Sequence, residues 1–283
     1  NLNYSQKSIV NNMNFYNEFF KNNDYFENEI GKNNIFIVGL PRTGTTLTES
    51  IITANDEIFP AGELLSFQEL FSVLREKNIN EKKLFLDQIS KTYLKRTSYL
   101  KNNNKKVVDK LPSNLMLIGF ILKILPGSKV IRIHRDPWDT AISLYKQRYV
   151  QNIPWSTSFF DIGIIVSNHE AINVFWDMVI EEEKNLITIR YEDIVNEQKE
   201  IQSKLYDFLQ IKSDYSEKKR GNFFSKTAST QQVKEQIHTK SLKKIEFEDK
   251  KDEFWDAVNQ QRKYWIKQGL PLIENGPLFG YKP

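Results

Sequence analysis

The sequence feature that most constrains the fold is a short apolar run that ends in a loop with two glycines. Residues 35–38 are consecutive apolar residues, a pattern typical of a strand that is buried on both faces of a parallel sheet. Gly39 opens the loop, Gly44 closes it, and Leu47 and Ile51 then follow with helical spacing. The order of strand, loop and helix predicts a βα unit whose loop lies at the carboxyl end of the strand.

This loop also indicates an anion site. The spacing Gly39-x-x-x-x-Gly44 followed by Thr46 is that of a P-loop, and Thr45 stands where the phosphate-binding lysine would be. Glycine lets the backbone approach a ligand closely, and the N–H groups at the start of a helix attract an anion. Without the lysine that reaches β- and γ-phosphates, we expect a single 5′-phosphate group here. The alternative from these residues alone is an ordinary strand-to-helix turn.

Strands and helices alternate along the rest of the chain. Further strands are predicted at residues 106–110, 129–134 and 186–190. The predicted helices are residues 45–54, 66–74, 82–100, 114–125 with Ser113 as cap, 137–149, 157–180, 194–208 and 250–267. Residues 58–64 contain Pro and Gly and predict no regular element. Because such alternation implies right-handed βαβ units, we expect an α/β, P-loop-like three-layer fold with a central parallel sheet flanked by helices.

Residues 1–33 differ from the rest of the chain because they are polar and rich in asparagine. They predict one or two helical turns, at the edge of the domain or as the tail of an upstream helical module. We therefore expect an N-terminal helical extension over residues 1–33 and one α/β domain over residues 34–283. The first residue is Asn rather than Met, which leaves room for an upstream repeat module.

Composition excludes several classes of protein. A net charge of +4 from 40 Lys and Arg against 36 Asp and Glu suits an anionic nucleotide but is too small for a dedicated nucleic-acid binder. The absence of cysteine excludes disulfides, thiolate metal sites and a cysteine nucleophile. His134, His169 and His238 have no metal-ligand spacing, and His169 is predicted to be a core residue. No transmembrane stretch or signal peptide is visible, so a cytoplasmic location is expected.

Polar groups follow each predicted strand of the sheet. They are the 39–46 loop, Asp109-Lys110, Arg135 and Tyr191. In an open parallel sheet, ligands bind beyond the carboxyl ends of the strands, so we expect these groups to meet around one ligand.

Arg135 and Ser143 form a second candidate anion site. The guanidinium offers paired donors that match a phosphate, and the Ser143 hydroxyl lies about two helical turns further on. The alternative is that Arg135 pairs with Asp136 or Asp139 and that Ser143 is a surface hydroxyl.

Three sequence words resemble motifs of the sulfotransferases that use 3′-phosphoadenosine 5′-phosphosulfate (PAPS). P-R-T-G-T-T-L at residues 41–47 resembles the 5′-phosphosulfate loop, commonly written P-R-S-G-T-T. R-D-P-W-D-T-A-I-S at residues 135–143 resembles the 3′-phosphate motif, in which an Arg and a later Ser bind that group. I-R-Y-E-D at residues 189–193 resembles the R-Y-E-D segment, whose Tyr helps to hold the nucleotide.

Further words are similar to one branch of that family, which contains the tyrosylprotein sulfotransferases and bacterial sulfotransferases often fused to tetratricopeptide repeats. They are A-G-E-L at residues 61–64, D-K-L-P at residues 109–112, and S-T-Q-Q-V at residues 229–233 followed by Leu242 and Lys244. The matching words are scattered between residues 34 and 281.

The resemblance implies roles for individual residues. Glu63 is the expected general base, while Arg42, Lys110 and Ser229 are expected to serve the transferring sulfuryl group. The expected nucleotide contacts are Arg42, Thr43, Gly44, Thr45, Thr46, Arg135, Ser143, Tyr191, Ser229 and Lys244. Sulfuryl transfer needs a base on the acceptor hydroxyl and cations on the developing oxyanion charge. The resemblance implies PAPS as the donor and PAP as the product. Because a sulfuryl group carries less charge than a phosphoryl group, no metal is expected.

The chain departs from the family pattern at several positions. Thr43 replaces the usual Ser and keeps the hydroxyl. An Arg often found four residues after the 3′-phosphate Ser falls on Gln147, with Arg148 next to it. Lys219-Arg220-Gly221 resembles the R-K-G word of the cytosolic branch, so it competes with the segment from Ser229 to Lys244 as the remainder of the 3′-phosphate site.

We therefore expect a PAPS-dependent sulfotransferase. The alternatives are a P-loop-type nucleotide or small-molecule kinase and a non-enzymatic nucleotide-binding module. A kinase is disfavoured because position 45 is Thr and no Asp is placed for Mg²⁺. The expected acceptor bears a hydroxyl, as in a protein tyrosine, a glycan, a lipid or a small molecule, and variable loops decide among these. A nucleic-acid partner is not expected.

Overall fold

The computed structural model describes residues 5–21, 26–27, 29–77, 79–100, 106–147, 154–180, 184–212 and 244–281. The strands in these ranges are β1 (Asn34–Gly39), β2 (Ile58–Pro60), β3 (Lys106–Asp109), β4 (Lys129–His134) and β5 (Leu186–Arg190). The α-helices are α1 (Gln6–Phe19), α2 (Thr45–Ile52), α3 (Ser66–Glu76), α4 (Ile79–Ser98), α5 (Ile118–Ile124), α6 (Pro137–Lys146), α7 (Phe159–Val179), α8 (Tyr191–Asn196), α9 (Gln198–Leu209) and α10 (Lys251–Lys267). Short 3₁₀ helices span Pro112–Leu117, Pro154–Thr157 and Lys244–Lys250.

The strands form one sheet in the order β2-β3-β1-β4-β5 with every pairing parallel. β1 lies at the centre, and the chain visits the strands on one side of it before it crosses to β4 on the other. A reversal of strand order of this kind opens a crevice at the carboxyl ends of the central strands, which is where such sheets bind ligands. The predicted α/β fold with a central parallel sheet is confirmed.

Alternating residues of β1 face opposite layers of helices. Phe36 and Val38 belong to one buried cluster and Ile35 and Ile37 to another, and each of the four is at most 1% exposed. A strand buried on both faces needs apolar side chains at every position, which explains the unbroken apolar run in the sequence. In the described part of the chain, no helix is long and apolar enough to cross a membrane.

Residues 58–60 are a strand, so the prediction of no regular element over residues 58–64 was wrong there. β2 lies at the edge of the sheet and pairs only with β3. Pro60 lacks an N–H group, which an edge strand tolerates because one of its sides has no neighbouring strand. Three residues are also too few to produce a visible alternation of apolar and polar side chains.

Two predicted helices are each divided in the structure. The predicted helix over residues 194–208 is divided between α8 and α9, which are separated at Glu197. The predicted helix 114–125 is split into the 3₁₀ helix Pro112–Leu117 and α5, and Ser113 does not cap it. The Ser113 hydroxyl instead accepts a hydrogen bond of 2.6 Å from Gln68 Nε2 on α3. A tertiary partner has taken the oxygen that would have capped the helix.

Helix α1 is longer than the one or two turns that residues 1–33 predicted. It has 14 residues, and Ser5 caps it by accepting the Ser8 N–H at 3.3 Å. Its Tyr16 and Phe20 are buried in the same cluster as Phe120. Tertiary burial of this aromatic face outweighs the low helix propensity of the asparagines. The division of the chain at residues 33 and 34 stays a prediction.

Candidate active site

The loop from β1 to α2 contains a strained residue, Arg42. Its backbone has φ 74°, in the left-handed region that a side chain with a Cβ rarely adopts. The Arg42 carbonyl accepts a hydrogen bond of 2.9 Å from Arg135 Nη1, and its own Nε donates to Ser143 Oγ at 3.1 Å. Strain of this kind persists where surrounding contacts fix the backbone, and such residues cluster at functional sites.

Gly44 allows an aromatic ring to lie directly on the loop. Its φ is +100°, and a Cβ built there would be 2.5 Å from Cδ2 of Tyr191. The guanidinium of Arg135 also lies over this ring, with its Cζ 4.4 Å from the ring centroid. This is a cation–π distance. The structure thus brings together five residues of the predicted site, Arg42, Gly44, Arg135, Ser143 and Tyr191. We call this group the nucleotide side, after the ligand that the sequence predicts for it.

The Arg135 guanidinium is buried but incompletely paired. The residue is 9% exposed, and its Nε atom has no hydrogen-bond partner within the described residues. An unpaired buried donor is costly, and more so in a charged group. Asp136, considered above as a partner for Arg135, caps α6 by accepting the Asp139 N–H at 2.8 Å. An anion between Arg135 and Ser143 would complete the pairing of the guanidinium.

Helix α2 presents its first turn to the same crevice. Gly44 is its N-cap residue and has no side chain with which to cap it. The N–H groups of the first turn have no partner inside a helix, and the macrodipole adds positive potential there. Thr43, Thr45 and Thr46 are 3%, 4% and 9% exposed, so the side chains of the predicted phosphosulfate loop are closely packed. The Thr43 hydroxyl donates to the Leu40 carbonyl at 2.7 Å.

Glu63 and Lys110 form an ion pair beside β3. Lys110 Nζ donates to Glu63 Oε1 at 2.6 Å, and the lysine side chain is 1% exposed while that of Glu63 is 42% exposed. The Lys110 N–H also donates to the Gly62 carbonyl at 2.9 Å. A buried ammonium requires a partner, and Glu63 supplies one from a position that a second molecule can reach.

Asp109 is a buried acid that the sequence placed at a strand end near the ligand but to which it assigned no role. Its Oδ2 accepts the Tyr93 hydroxyl at 2.8 Å, and its Oδ1 accepts the Leu64 N–H at 3.3 Å. Burial raises the pKa of Asp109 to about 7, although both hydrogen bonds act in the opposite direction. Burial and the neighbouring Asp109 charge also raise the pKa of Tyr93. We call Glu63, Lys110, Asp109 and Tyr93 the acceptor side, after the role that the sequence predicts for Glu63.

The available signal for Asp109 was its place in the D-K-L-P word, immediately before Lys110. Tyr93 was visible only as one of the apolar-face residues of the predicted helix over 82–100. No local pattern indicates that its hydroxyl would meet the end of a strand, because the pairing of α4 with β3 is set by the fold.

A carboxylate on α8 holds the turn that carries Arg135. Glu192 Oε1 accepts the Asp136 N–H at 3.0 Å, and Glu192 Oε2 accepts the Tyr281 hydroxyl. Arg190 Nε donates to the same Tyr281 oxygen at 3.0 Å. Burial, followed by the hydrogen bond to Glu192, raises the pKa of Tyr281. Glu192, the Glu of the R-Y-E-D motif, therefore stabilises the turn next to Arg135 on the nucleotide side.

Several predicted residues lie outside the described ranges. These are Arg148, Lys219, Arg220, Ser229, His238 and Leu242. Lys244 is the first residue of the 3₁₀ helix Lys244–Lys250, whose backbone alone is described at that position. The roles of Ser229 and Lys244 stay predictions, as does the rivalry with Lys219 and Arg220.

Of the histidines in the described ranges, His169 is buried and His134 is partly buried. His169 is 1% exposed, which confirms it as a core residue. Burial, followed by the nearby Arg132 charge, lowers the pKa of His134 to about 3. Burial also lowers the pKa of His169, so both rings are neutral near pH 7. Among the described residues, no group of three His, Asp or Glu side chains could hold a metal ion.

Known proteins are similar to this chain in sequence and in fold. A sequence model of the "Sulfotransferase family" matches residues 34–216. An uncharacterized protein of Aquifex aeolicus (strain VF5) is 29% identical over an alignment of 232 residues. The alignment covers 74% of this chain and 30% of that protein. The chain thus spans less than a third of the length of this relative.

Two solved structures are similar in fold. The sulfotransferase domain from the Synechococcus PCC 7002 olefin synthase has a TM-score of 0.52 at 17% identity, covering 80% of this chain and 93% of that domain. Mouse sulfotransferase SULT7A1 complexed with PAP has a TM-score of 0.50 at 17% identity, covering 85% and 89%. With the family match over more than half of its residues, the chain belongs to the sulfotransferase family.

Proposed function

We propose that this protein transfers the sulfuryl group of PAPS to a hydroxyl acceptor and releases PAP. The observation that carries the proposal is the buried guanidinium of Arg135, whose Nε lacks a partner among the described residues while Ser143 and the phosphosulfate loop lie beside it. A nucleotide with both a 3′-phosphate and a 5′-phosphosulfate has an anion for each of these places. The PAP complex of mouse SULT7A1 supports this ligand.

The nucleotide side would bind PAPS through two sets of donors. Arg135 and Ser143 would hold the 3′-phosphate, because a guanidinium and a hydroxyl together supply charge-assisted hydrogen bonds. The first-turn N–H groups of α2, with Thr45 and Thr46, would hold the 5′-phosphosulfate. Tyr191 would lie along the nucleotide, and Arg42 would contribute a further cation.

The acceptor side would carry out the proton transfer. PAPS supplies a sulfur centre whose leaving group is the phosphate of PAP. Glu63, in its ionised form, accepts the proton of the acceptor hydroxyl, and that oxygen forms the new S–O bond as the bond to the 5′-phosphate oxygen breaks. Lys110 stabilises the negative charge that develops on the transferring oxygens. The electron pair of the broken bond leaves with PAP.

The ion pair implies that Lys110 changes partners during the reaction. In the structure its ammonium is 2.6 Å from Glu63. To serve the sulfuryl group it must turn away from Glu63 or contact both. Ser229 is proposed as a second ligand of the sulfuryl group, and Lys244 as a further nucleotide ligand. No metal is assigned, since the nucleotide side already supplies cations.

Binding and turnover together test the proposal. Titration of PAP, ATP and ADP by calorimetry, with and without Mg²⁺, should show a preference for PAP. A magnesium-dependent preference for ATP would favour a kinase instead. Transfer of ³⁵S from PAPS would then be followed with 4-nitrophenol, an aliphatic alcohol, a tyrosine peptide and an oligosaccharide. Tight PAP binding without turnover on any acceptor would favour a non-enzymatic binding module.

A further inference from the structure

The segment that carries Glu63 is attached to β3 by three backbone groups. The Ala61 N–H donates to the Val108 carbonyl at 2.9 Å, and the Gly62 carbonyl accepts the Lys110 N–H at 2.9 Å. The third attachment is the Leu64 N–H, which donates to the Asp109 side chain at 3.3 Å. Glu63 therefore lies between two anchored neighbours, one held by a main-chain group and one by a buried carboxylate.

Asp109 is itself fixed from the opposite side. It is 1% exposed, and its second oxygen accepts the hydroxyl of Tyr93 at 2.8 Å. Tyr93 is fully buried, and its ring stacks on Phe36 of the central strand with centroids 5.6 Å apart. One oxygen of Asp109 is thus locked against the core while the other points at the active-site segment.

We infer that Asp109 is a positioning residue for sulfuryl transfer, because it links the buried Tyr93 to the backbone next to Glu63 and so sets the direction of the Glu63 carboxylate. The inference rests on the proposed function of Glu63 as the base. Gly62 has φ +72°, and no heavy atom lies within 4 Å of the place where its Cβ would be. Packing against this glycine therefore does not fix the direction of the backbone before Glu63. A misplacement of about 1 Å in a reacting group can lower turnover about a hundredfold.

The hydrogen bond to Tyr93 accounts for only one of the two oxygens of Asp109. A buried carboxylic acid is costly to ionise, and an apolar side chain of similar volume would fill the same space without that cost. An apolar side chain would, however, provide no acceptor for the buried Tyr93 hydroxyl or for the Leu64 N–H. Of these two contacts, the one to Leu64 reaches the active-site segment.

The test compares three variants with the wild type. In Asp109→Asn the amide oxygen can still accept the Leu64 N–H and the amide nitrogen can donate to the Tyr93 oxygen, so we expect kcat close to the wild-type value. Asp109→Leu removes the acceptor, and we expect kcat to fall about 10- to 100-fold. Tyr93→Phe keeps the ring and removes only its hydroxyl, with an expected loss of about two- to tenfold. Thr97→Val on the same helix is the control, since it removes a buried hydrogen bond from Asn34 and the donor to the Tyr93 carbonyl but keeps the Tyr93 hydroxyl.

The readout separates positioning from loss of folded protein. Calorimetric titration with PAP gives the active fraction from its stoichiometry, and PAP affinity should stay unchanged in every variant. Each variant is also combined with Glu63→Gln. If Asp109 acts through Glu63, the second substitution adds little to the loss caused by Glu63→Gln alone. Additive losses, or an Asp109→Leu enzyme with wild-type kcat, would overturn the inference.

Should Asp109→Leu fail to fold, Tyr93→Phe decides by the same double-mutant comparison. Failure of the proposed function has a different signature, because the wild type itself would then transfer no sulfuryl to any acceptor of the panel. A wild type that transfers sulfuryl and a Tyr93→Phe enzyme whose loss adds fully to that of Glu63→Gln would overturn this inference alone.

Discussion

The two sides of the active site hold their charged groups in opposite ways. On the nucleotide side, Arg135 is held by the uncharged carbonyl of Arg42 and by the face of Tyr191. On the acceptor side, Lys110 is held by the opposite charge of Glu63. A cation held by neutral groups keeps its charge for an incoming anion, whereas a cation in an ion pair must release its partner first. The first arrangement favours affinity and the second favours control of turnover.

The two sides also occupy different parts of the sheet. The nucleotide side uses the ends of β1, β4 and β5, which include the central strand, while the acceptor side uses β3 and the segment after the edge strand β2. Changes on one side should therefore alter binding with little effect on chemistry, and changes on the other should do the reverse. The following predictions test that separation, from the largest expected effect to the smallest.

Glu63→Gln should produce the largest change, and it should be confined to turnover. The amide keeps the shape and removes the basic oxygen, so we expect kcat to fall about 10²–10⁴-fold. PAP affinity should be nearly unchanged, because the proposed role of Glu63 is toward the acceptor and not toward the nucleotide. Single-turnover transfer and calorimetry measure the two quantities. Glu69→Gln, in an exposed pair with Arg96, is the matched control. A Glu63→Gln enzyme with the wild-type rate would leave the catalytic base unassigned.

Asp109 should give the acceptor side a characteristic dependence of stability on pH. Its pKa is raised from 3.8 to about 7 in the folded protein, so the folded state binds this proton more tightly than the unfolded state. The stabilisation is complete below the unfolded pKa and is lost as the pH rises through about 7. The difference corresponds to about 4 kcal/mol.

Denaturant unfolding of the wild type and of Asp109→Asn, from pH 4 to 9, measures this effect. The variant should become more stable relative to the wild type as the pH rises. Asp87→Asn provides the control, since Asp87 is an exposed acid paired with Lys91. A stability difference that stays constant across the range would contradict the assigned shift of Asp109.

Arg135→Ala should weaken PAP binding and leave the 5′ end of the nucleotide largely unaffected. Loss of a charge-assisted contact costs about 1.5–3 kcal/mol, which is about a 10- to 150-fold loss of affinity. Affinity for adenosine 5′-phosphosulfate, which lacks the 3′-phosphate, should change much less. Arg96→Ala removes an exposed arginine and serves as control. Equal losses for the two nucleotides would remove Arg135 from the 3′-phosphate site.

Chelation should have the smallest effect. Because the proposed reaction uses Lys110 and the arginines for charge stabilisation, turnover should persist in excess EDTA. The measurement is the rate of ³⁵S transfer before and after chelation, with Mg²⁺ added back. Activity that disappears with EDTA and returns with Mg²⁺ would mean that the reaction requires a metal ion in addition to the cationic side chains.

The nucleotide side could be predicted from sequence because its members lie in local words at strand ends. Gly44, Arg135 and Tyr191 each follow a strand within a few residues, and parallel strands bring their carboxyl ends together. The left-handed backbone of Arg42 could not be predicted, since contacts with Arg135 and Ser143 across the crevice accompany it.

The acceptor side could be predicted only in part. Glu63 and Lys110 came from the resemblance, but their ion pair depends on β2, a strand too short to be recognised. The contact between Tyr93 and Asp109 depends on how α4 packs against β3, which no local periodicity encodes. Helix α1 was underestimated for the same reason, because burial of Tyr16 and Phe20 outweighs the propensities of its polar residues.

The contact between Tyr281 and Glu192 has a consequence for biosynthesis. These residues are 89 positions apart, and a ribosome that adds about 5–20 residues per second needs several seconds to travel that distance. During this interval the turn at Asp136 lacks the hydroxyl that fixes its carboxylate partner. The ribosome can therefore have synthesised all five described strands well before the turn at Asp136 gains this contact. A translational pause between these positions would prolong that unfinished state.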